Sequence, residues 1–239
     1  ATSTDEGDRL AIVNSTDGSM AIYTLLRDQN IVAASKFTTD GNFLNVATVV
    51  QDQYAAVKRT INSVNKYYIE LFDEDVTVDS ALTGGAASSV SSGHLALYTT
   101  KIIGDGVMQA DTTSGASSIT FPTATLSTYE VGLDYTVTIK TLPIEPGIQG
   151  YASLKGFKKR VLEVNAFLVE TQNLTINSNT IPIRTLGTDN LDVGIPSFTG
   201  TKTLHGILGY SLTGQIEIGQ SAPLKLHLLG MDYKVSTGA

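Results

Sequence analysis

Apolar residues recur along this chain in short runs that alternate with a period of two, and almost nowhere at helical spacing. The clearest stretch runs from Tyr54 to Asp75. Its first arm, 54–61, is rich in β-formers. Its second, 66–72, sets Tyr67, Ile69 and Leu71 on one side and Tyr68, Glu70 and Phe72 on the other. Between them the polar interruption Asn62-Ser63-Val64-Asn65 has the length of a hairpin loop, so the arms are predicted to fold back as antiparallel strands. Lys58, Arg59 and Lys66 are read as charges that protect a sheet edge from accidental pairing.

Upstream, apolar runs of strand length cover 10–13, 20–26, 31–37 and 43–50. Ser15-Thr16-Asp17-Gly18 and Thr38-Thr39-Asp40-Gly41 supply Asp-Gly turns between them. Residues 1–82 therefore read as an antiparallel β-meander like one propeller blade and part of another, whose exposed edges need the following domain or further blades. Residues 83–93 are small or polar throughout and read as a linker, with a long surface loop as the alternative. Short runs at 95–103, 106–110, 118–121 and 128–133 make residues 94–135 a small β module. Residues 136–239 read as a β-sandwich-like domain. Within it 160–171 is apolar on both sides and is predicted to be a central strand covered on both faces. Only Tyr151–Phe157 suits a short helix, and 187–200 reads as a long loop. The predicted class is all-β.

Composition narrows the functions open to such a chain. With no cysteine, disulfides and thiolate metal sites are excluded. A net charge of −7 argues against a free-standing nucleic-acid binder, although an acidic wall can let DNA pass without holding it. No apolar run approaches the length of a membrane-spanning helix, and the N-terminus has neither the basic start nor the apolar stretch of a signal peptide. The first residue is Ala1, so a processed chain or an excised fragment is expected.

Candidate chemistry is sparse. His94, His205 and His227 stand at no metal-ligand spacing, and no Gly-x-Ser-x-Gly elbow occurs. Asp73, Glu74 and Asp75 read as a solvated turn. Asp73, Asp75 and Asp79 are the alternative, a calcium site, because alternate acidic residues in a loop can supply oxygen ligands. The basic cluster Lys155, Lys158, Lys159 and Arg160 reads as the solvated start of a strand, or as an intersubunit contact to an acidic loop such as Asp73–Asp75 of a neighbour, with DNA phosphates a third reading that the overall charge disfavours. No catalytic residue and no cofactor is expected.

Several segments carry a family resemblance. Val57-Lys58-Arg59-Thr60-Ile61-Asn62, then Tyr68-Ile69-Glu70, an acidic turn and Asp79-Ser80-Ala81-Leu82 resemble the tail nozzle, or tail tubular B, proteins of short-tailed bacteriophages and related tail stabilisation proteins. Met20–Thr24 and Ala34–Phe43, with its Thr38-Thr39-Asp40-Gly41, match upstream. Tyr129–Thr136 and Leu142-Pro143-Ile144 match downstream, with Asp134 where proline is usual. The likeness covers about Met20 to Arg160. It implies a structural, non-enzymatic part of the virion: a hexameric ring lining the DNA exit channel, contacting an adaptor ring and fibres, in the C-terminal portion of a longer protein. A fibre-like receptor- or glycan-binding β protein is the alternative, and a depolymerase with paired carboxylates a third reading.

Overall fold

The computed structural model describes residues 8–26, 30–50, 52–123, 125–145, 155–184, 187, 194–206 and 209–238. It is all-β, and the one helical element among the described residues is a 3-10 turn at Gly93–Leu95. Of the helix expected over Tyr151–Phe157, residues 151–154 lie outside the described residues and 155–157 form a turn; of the loop expected over 187–200, residues 188–193 lie outside them and Phe198 already opens a strand. The chain divides into two compact units, Ala1–Leu133 and Asp134–Ala239.

The first unit opens with two three-stranded antiparallel sheets in sequence order. One is β1 (Asp8–Val13), β2 (Met20–Leu26) and β3 (Ile31–Phe37). The other is β4 (Asn42–Val49), β5 (Asp52–Ile61) and β6 (Val64–Leu71). Ala11, Met20 and Ile22 of the first share a core with Phe43, Ala55 and Val57 of the second. Phe72 closes its edge, edge-on to Phe37 and stacked on Phe43, with ring centroids 6.1 and 6.2 Å apart. The β5–β6 hairpin is tighter than the polar stretch suggested. Ile61 pairs with Val64, and Asn62 and Ser63 turn the chain with φ of 48° and 63°, the type I′ geometry that matches strand twist.

The two Asp-Gly turns differ in role. Asp17-Gly18 closes the β1–β2 hairpin, whereas Asp40-Gly41 carries the chain from one sheet to the other. Gly41 has φ of 146°, and a Cβ there would come 2.4 Å from the Lys58 carbonyl oxygen, so both conformation and close approach require glycine.

Residues 83–93, expected as a linker, are built into the following module. It begins with β7 (Asp79–Gly84) and β8 (Ser89–Ser91), followed by β9 (Thr99–Gly104), β10 (Val107–Met108), β11 (Thr112–Thr113), β12 (Ser118–Thr120) and β13 (Tyr129–Leu133). The main sheet runs β10-β9-β13-β7, and β8 pairs with β12. Small residues suit this use because ladder pairing is made by the backbone, and Val90 reaches the Leu95, Ile102, Ile119 and Val131 core.

The second unit begins at Asp134, where 136 was expected. Among the described residues it holds two sheets: β14 (Thr138–Lys140), β19 (Glu217–Gly219), β16 (Thr175–Ile176) and β17 (Asn179–Thr180) in that order, and β18 (Phe198–His205), β15 (Lys158–Thr171) and β20 (Leu228–Gly238). Val164, Ala166 and Leu168 of one share a core with Leu174, Ile176 and Ile218 of the other. β15 is central, as expected, but only one face is covered. The ladder to β20 shifts register between Val161 and Glu163, so the inward row reads Lys159, Val161, Val164, Ala166, Leu168 and the outward row Glu163, Asn165, Phe167. Without that irregularity both faces look apolar.

Two outcomes follow from these turns. Ser63→Gly relieves a non-glycine residue of a left-handed conformation and is expected to raise stability by about 0.5–1 kcal/mol in urea unfolding; an unchanged or lowered midpoint contradicts the I′ turn. Asp17 accepts hydrogen bonds from the Ser19 hydroxyl (2.6 Å) and amide (2.9 Å), which draw its pKa from 3.8 down to about 2. A depressed carboxyl stabilises the fold above its unfolded pKa and loses that contribution as pH falls, so Asp17→Ala should change the pH dependence of the unfolding midpoint between about 4 and 2 and leave it unchanged in form above.

Candidate functional site

Arg59, read as an edge charge, lies on the central strand β5 and points inward, 1% exposed. Its Nε and Nη2 donate to the two oxygens of Glu70, each at 2.6 Å. Nη2 also reaches Asp79 Oδ1 at 3.1 Å, and Nη1 donates to the Asp40 carbonyl at 2.8 Å. Asp79 Oδ2 in turn accepts from the Thr39 hydroxyl at 2.6 Å and the Asp40 amide at 3.3 Å. Burial pulls the Arg59 pKa down, but the Glu70 hydrogen bonds and the charges of Asp79 and Glu70 outweigh it, and the net shift is upward. The junction joins the hairpin sheet to the module that starts at β7. Two more contacts reinforce it: the Tyr98 hydroxyl donates to the Thr60 carbonyl at 2.7 Å, and the rings of Tyr68 and His94 lie 5.7 Å apart.

The calcium reading fails on this geometry. Asp79 turns its carboxylate to Arg59, Asp73 accepts the Asp75 amide at 2.9 Å, and no three His, Cys, Asp or Glu side chains converge on a metal-sized space among the described residues. His94 Nε2 meets the Ser80 carbonyl at 2.8 Å, and His205 Nδ1 lies 3.4 Å from Glu163. His227 joins β20 to β15 through its backbone.

The basic cluster divides. Lys159 is 1% exposed and donates to the Leu212 carbonyl at 3.0 Å, so it is withdrawn from any intersubunit contact. Lys155 lies 3.8 Å from Glu145 at the surface, Lys158 is exposed at the start of β15, and Arg160 is half-buried. On the outward face of β15, Lys234 (2.9 Å) and Asn165 (3.2 Å) bond to Glu163 and hold its carboxyl below the usual range. A shallow polar groove of 310 Å³ in the same unit is bordered by Lys140 and Glu217, themselves 3.9 Å apart, with Gln215 beside them.

One surface feature was hidden by the alternation that predicted the hairpin. On β6 the row containing Glu70 faces inward, and the apolar row faces solvent: Tyr67 is 68%, Ile69 74% and Leu71 49% exposed. The register sets them beside Lys58, Ala56 and Tyr54 of β5, with Ala47 and Val49 of β4 continuing the same face. The sheet of β1–β3 has the same character, its outward row including Leu10, Ile12 and Val32.

No family model and no curated protein matches the sequence.

Removing one partner from the Arg59 junction strands the others. Arg59→Met leaves two carboxylates facing each other without a cation and should cost about 3–5 kcal/mol in chemical unfolding. Adding Glu70→Leu should recover part of that loss. A loss under about 1 kcal/mol for Arg59→Met would mean that the junction is not closed to water.

Proposed function

We propose that this chain is a structural, non-catalytic part of a phage tail: a wall element of the nozzle or tubular ring that lines the DNA exit channel. One observation carries the reading. Four of the segments that supply the resemblance, Val57-Lys58-Arg59-Thr60-Ile61-Asn62, Tyr68-Ile69-Glu70, Thr38-Thr39-Asp40-Gly41 and Asp79-Ser80-Ala81-Leu82, meet at Arg59. Together they do one architectural job, and the charged side chains of Arg59, Glu70 and Asp79 are consumed in doing it. Such a motif specifies a kind of part, as a ring wall requires. The outward apolar rows give the part surfaces for assembly.

On this reading the ring is hexameric in the full-length protein, with the adaptor ring and fibres as further partners, and the protein resides in the virion. The formal charge of −7 suits a channel that DNA crosses without binding. Lys155, Lys158 and Arg160 are the intersubunit candidates, set against the Asp73–Asp75 loop of a neighbour.

Electron microscopy of the full-length protein or of virions tests this directly: the strands described above are expected in the wall of a central channel at the tail's distal end. Density for the chain in a fibre, or selective binding of the isolated chain on a glycan array, would replace the reading with a receptor-binding one.

A further inference from the structure

β6 is an edge strand. Among the described residues it pairs with β5 alone, and no strand lies along its other side. The register says which residues face that open side. The Phe72 amide donates to the Gln53 carbonyl, and Ile61 and Val64 close the two-residue turn, so in the alternation of an antiparallel ladder Glu70, Tyr68 and Lys66 exchange bonds with β5. Leu71, Ile69, Tyr67 and Asn65 then turn their amides and carbonyls to the free edge. Three of these four also carry the outward apolar row, so unpaired backbone and exposed apolar side chains coincide.

Folded proteins blunt such edges with bulges, charges or short strands. The other edge of this sheet, β4, is bulged between Phe43 and Asn45. β3 offers an added strand only the small side chains of Ala33, Ala34 and Ser35 at its centre. β6 runs eight residues with no proline and no register shift. Of the charges read as edge guards, Lys58 and Arg59 belong to the central β5, and Lys66 alone stands on β6.

We infer that β6 is a docking edge for an extended segment of another protein, which adds to the sheet as a fourth, antiparallel strand. Strand geometry fixes the chemistry of that segment. Its residues opposite Tyr67, Ile69 and Leu71 are apolar and cover the exposed row, and those facing the half-buried Tyr68 and Glu70 are small. The residue opposite Lys66 is acidic, because Lys66 is exposed and has no carboxylate partner among the described residues. Glu70 is the one acid on β6 and has given both oxygens to Arg59, so a second copy of the strand has no free carboxylate to offer Lys66. The inference does not rest on the tail reading.

The probe is the peptide Val-Ser-Val-Ser-Val-Glu-Thr, set against β6 from Leu71 back to Asn65 and added to the 239-residue chain up to about 1 mM. The amides of Tyr67, Ile69 and Leu71 are expected to shift in NMR spectra and to exchange more slowly with water, while those of Lys66, Tyr68 and Glu70, already paired with β5, keep their rates. Methylating the peptide nitrogen opposite Ile69 removes a ladder donor and is expected to weaken binding about tenfold; methylating the one opposite Tyr68, which points away from β6, leaves binding within about twofold. Exchanging the peptide's Glu for Lys weakens binding about two- to fivefold, and Lys66→Glu restores it. Ile69→Pro takes away a donor that β5 does not use and is expected to abolish binding with the circular dichroism unchanged. Should that proline disturb folding, the two methylated peptides carry the test on the unaltered chain. No shift at about 1 mM, equal binding by the two methylated peptides, or protection of the same three amides that rises with the concentration of the chain alone, the mark of a second copy, overturns the inference.

Discussion

The first unit depends on one buried cation being fully satisfied. Arg59 draws its partners from β6, from the turn between the two sheets and from the start of β7, so four separate pieces of chain must be in place before its guanidinium is closed off from water. Taking such a group out of water costs several kcal/mol, and its partners only offset that cost when every bond is made. A junction of this kind adds little net stability over a well-packed apolar one. What it adds is discrimination. Slipping β6 by one residue against β5 would turn Glu70 to solvent and bring Ile69 toward the guanidinium, an arrangement with an unpaired buried charge. The apolar row of β6 faces outward because the charged row has a partner waiting inside.

That inversion explains what could and could not be read from the sequence. The class, the hairpin and the succession of short antiparallel strands were legible, because a two-residue period and turn residues act locally. Which face of β6 points inward was not. Both rows carry large apolar or aromatic side chains, and the deciding contact lies 11 residues away at Glu70 and 20 away at Asp79. Arg59 looked like an edge charge for the same reason: nothing near it marks β5 as a central strand. Asp79, grouped with Asp73 and Asp75 by spacing alone, is claimed by a cation from another strand.

The other misreadings share a mechanism. Residues 83–93 lack apolar volume and so resemble a linker, yet β8 needs only backbone pairing and one half-buried valine. Lys159 sits in a run of charges and so resembles a solvated cluster, yet it falls in the inward row of β15 and reaches a carbonyl with its terminal amine. In β15 itself, an irregularity at Leu162 exchanges the faces partway along, and a second follows between Leu168 and Thr171. A period counted straight through it sees apolar residues on both sides, whereas the strand in place is cleanly two-sided. Backbone pairing and bulges are decided by partner strands, and a single sequence does not display its partners.

Charges inside and apolar rows outside are a costly distribution for a chain that ends at its own surface, since the hydrophobic contribution of Tyr67, Ile69 and Leu71 is left unused. The same distribution is economical for a repeated part. Specific polar bonds fix the register of β6 from within the chain, so its outward row is presented at defined spacing. Register selection and an exposed apolar row are thereby placed on opposite faces of the same strand, β6, one residue apart.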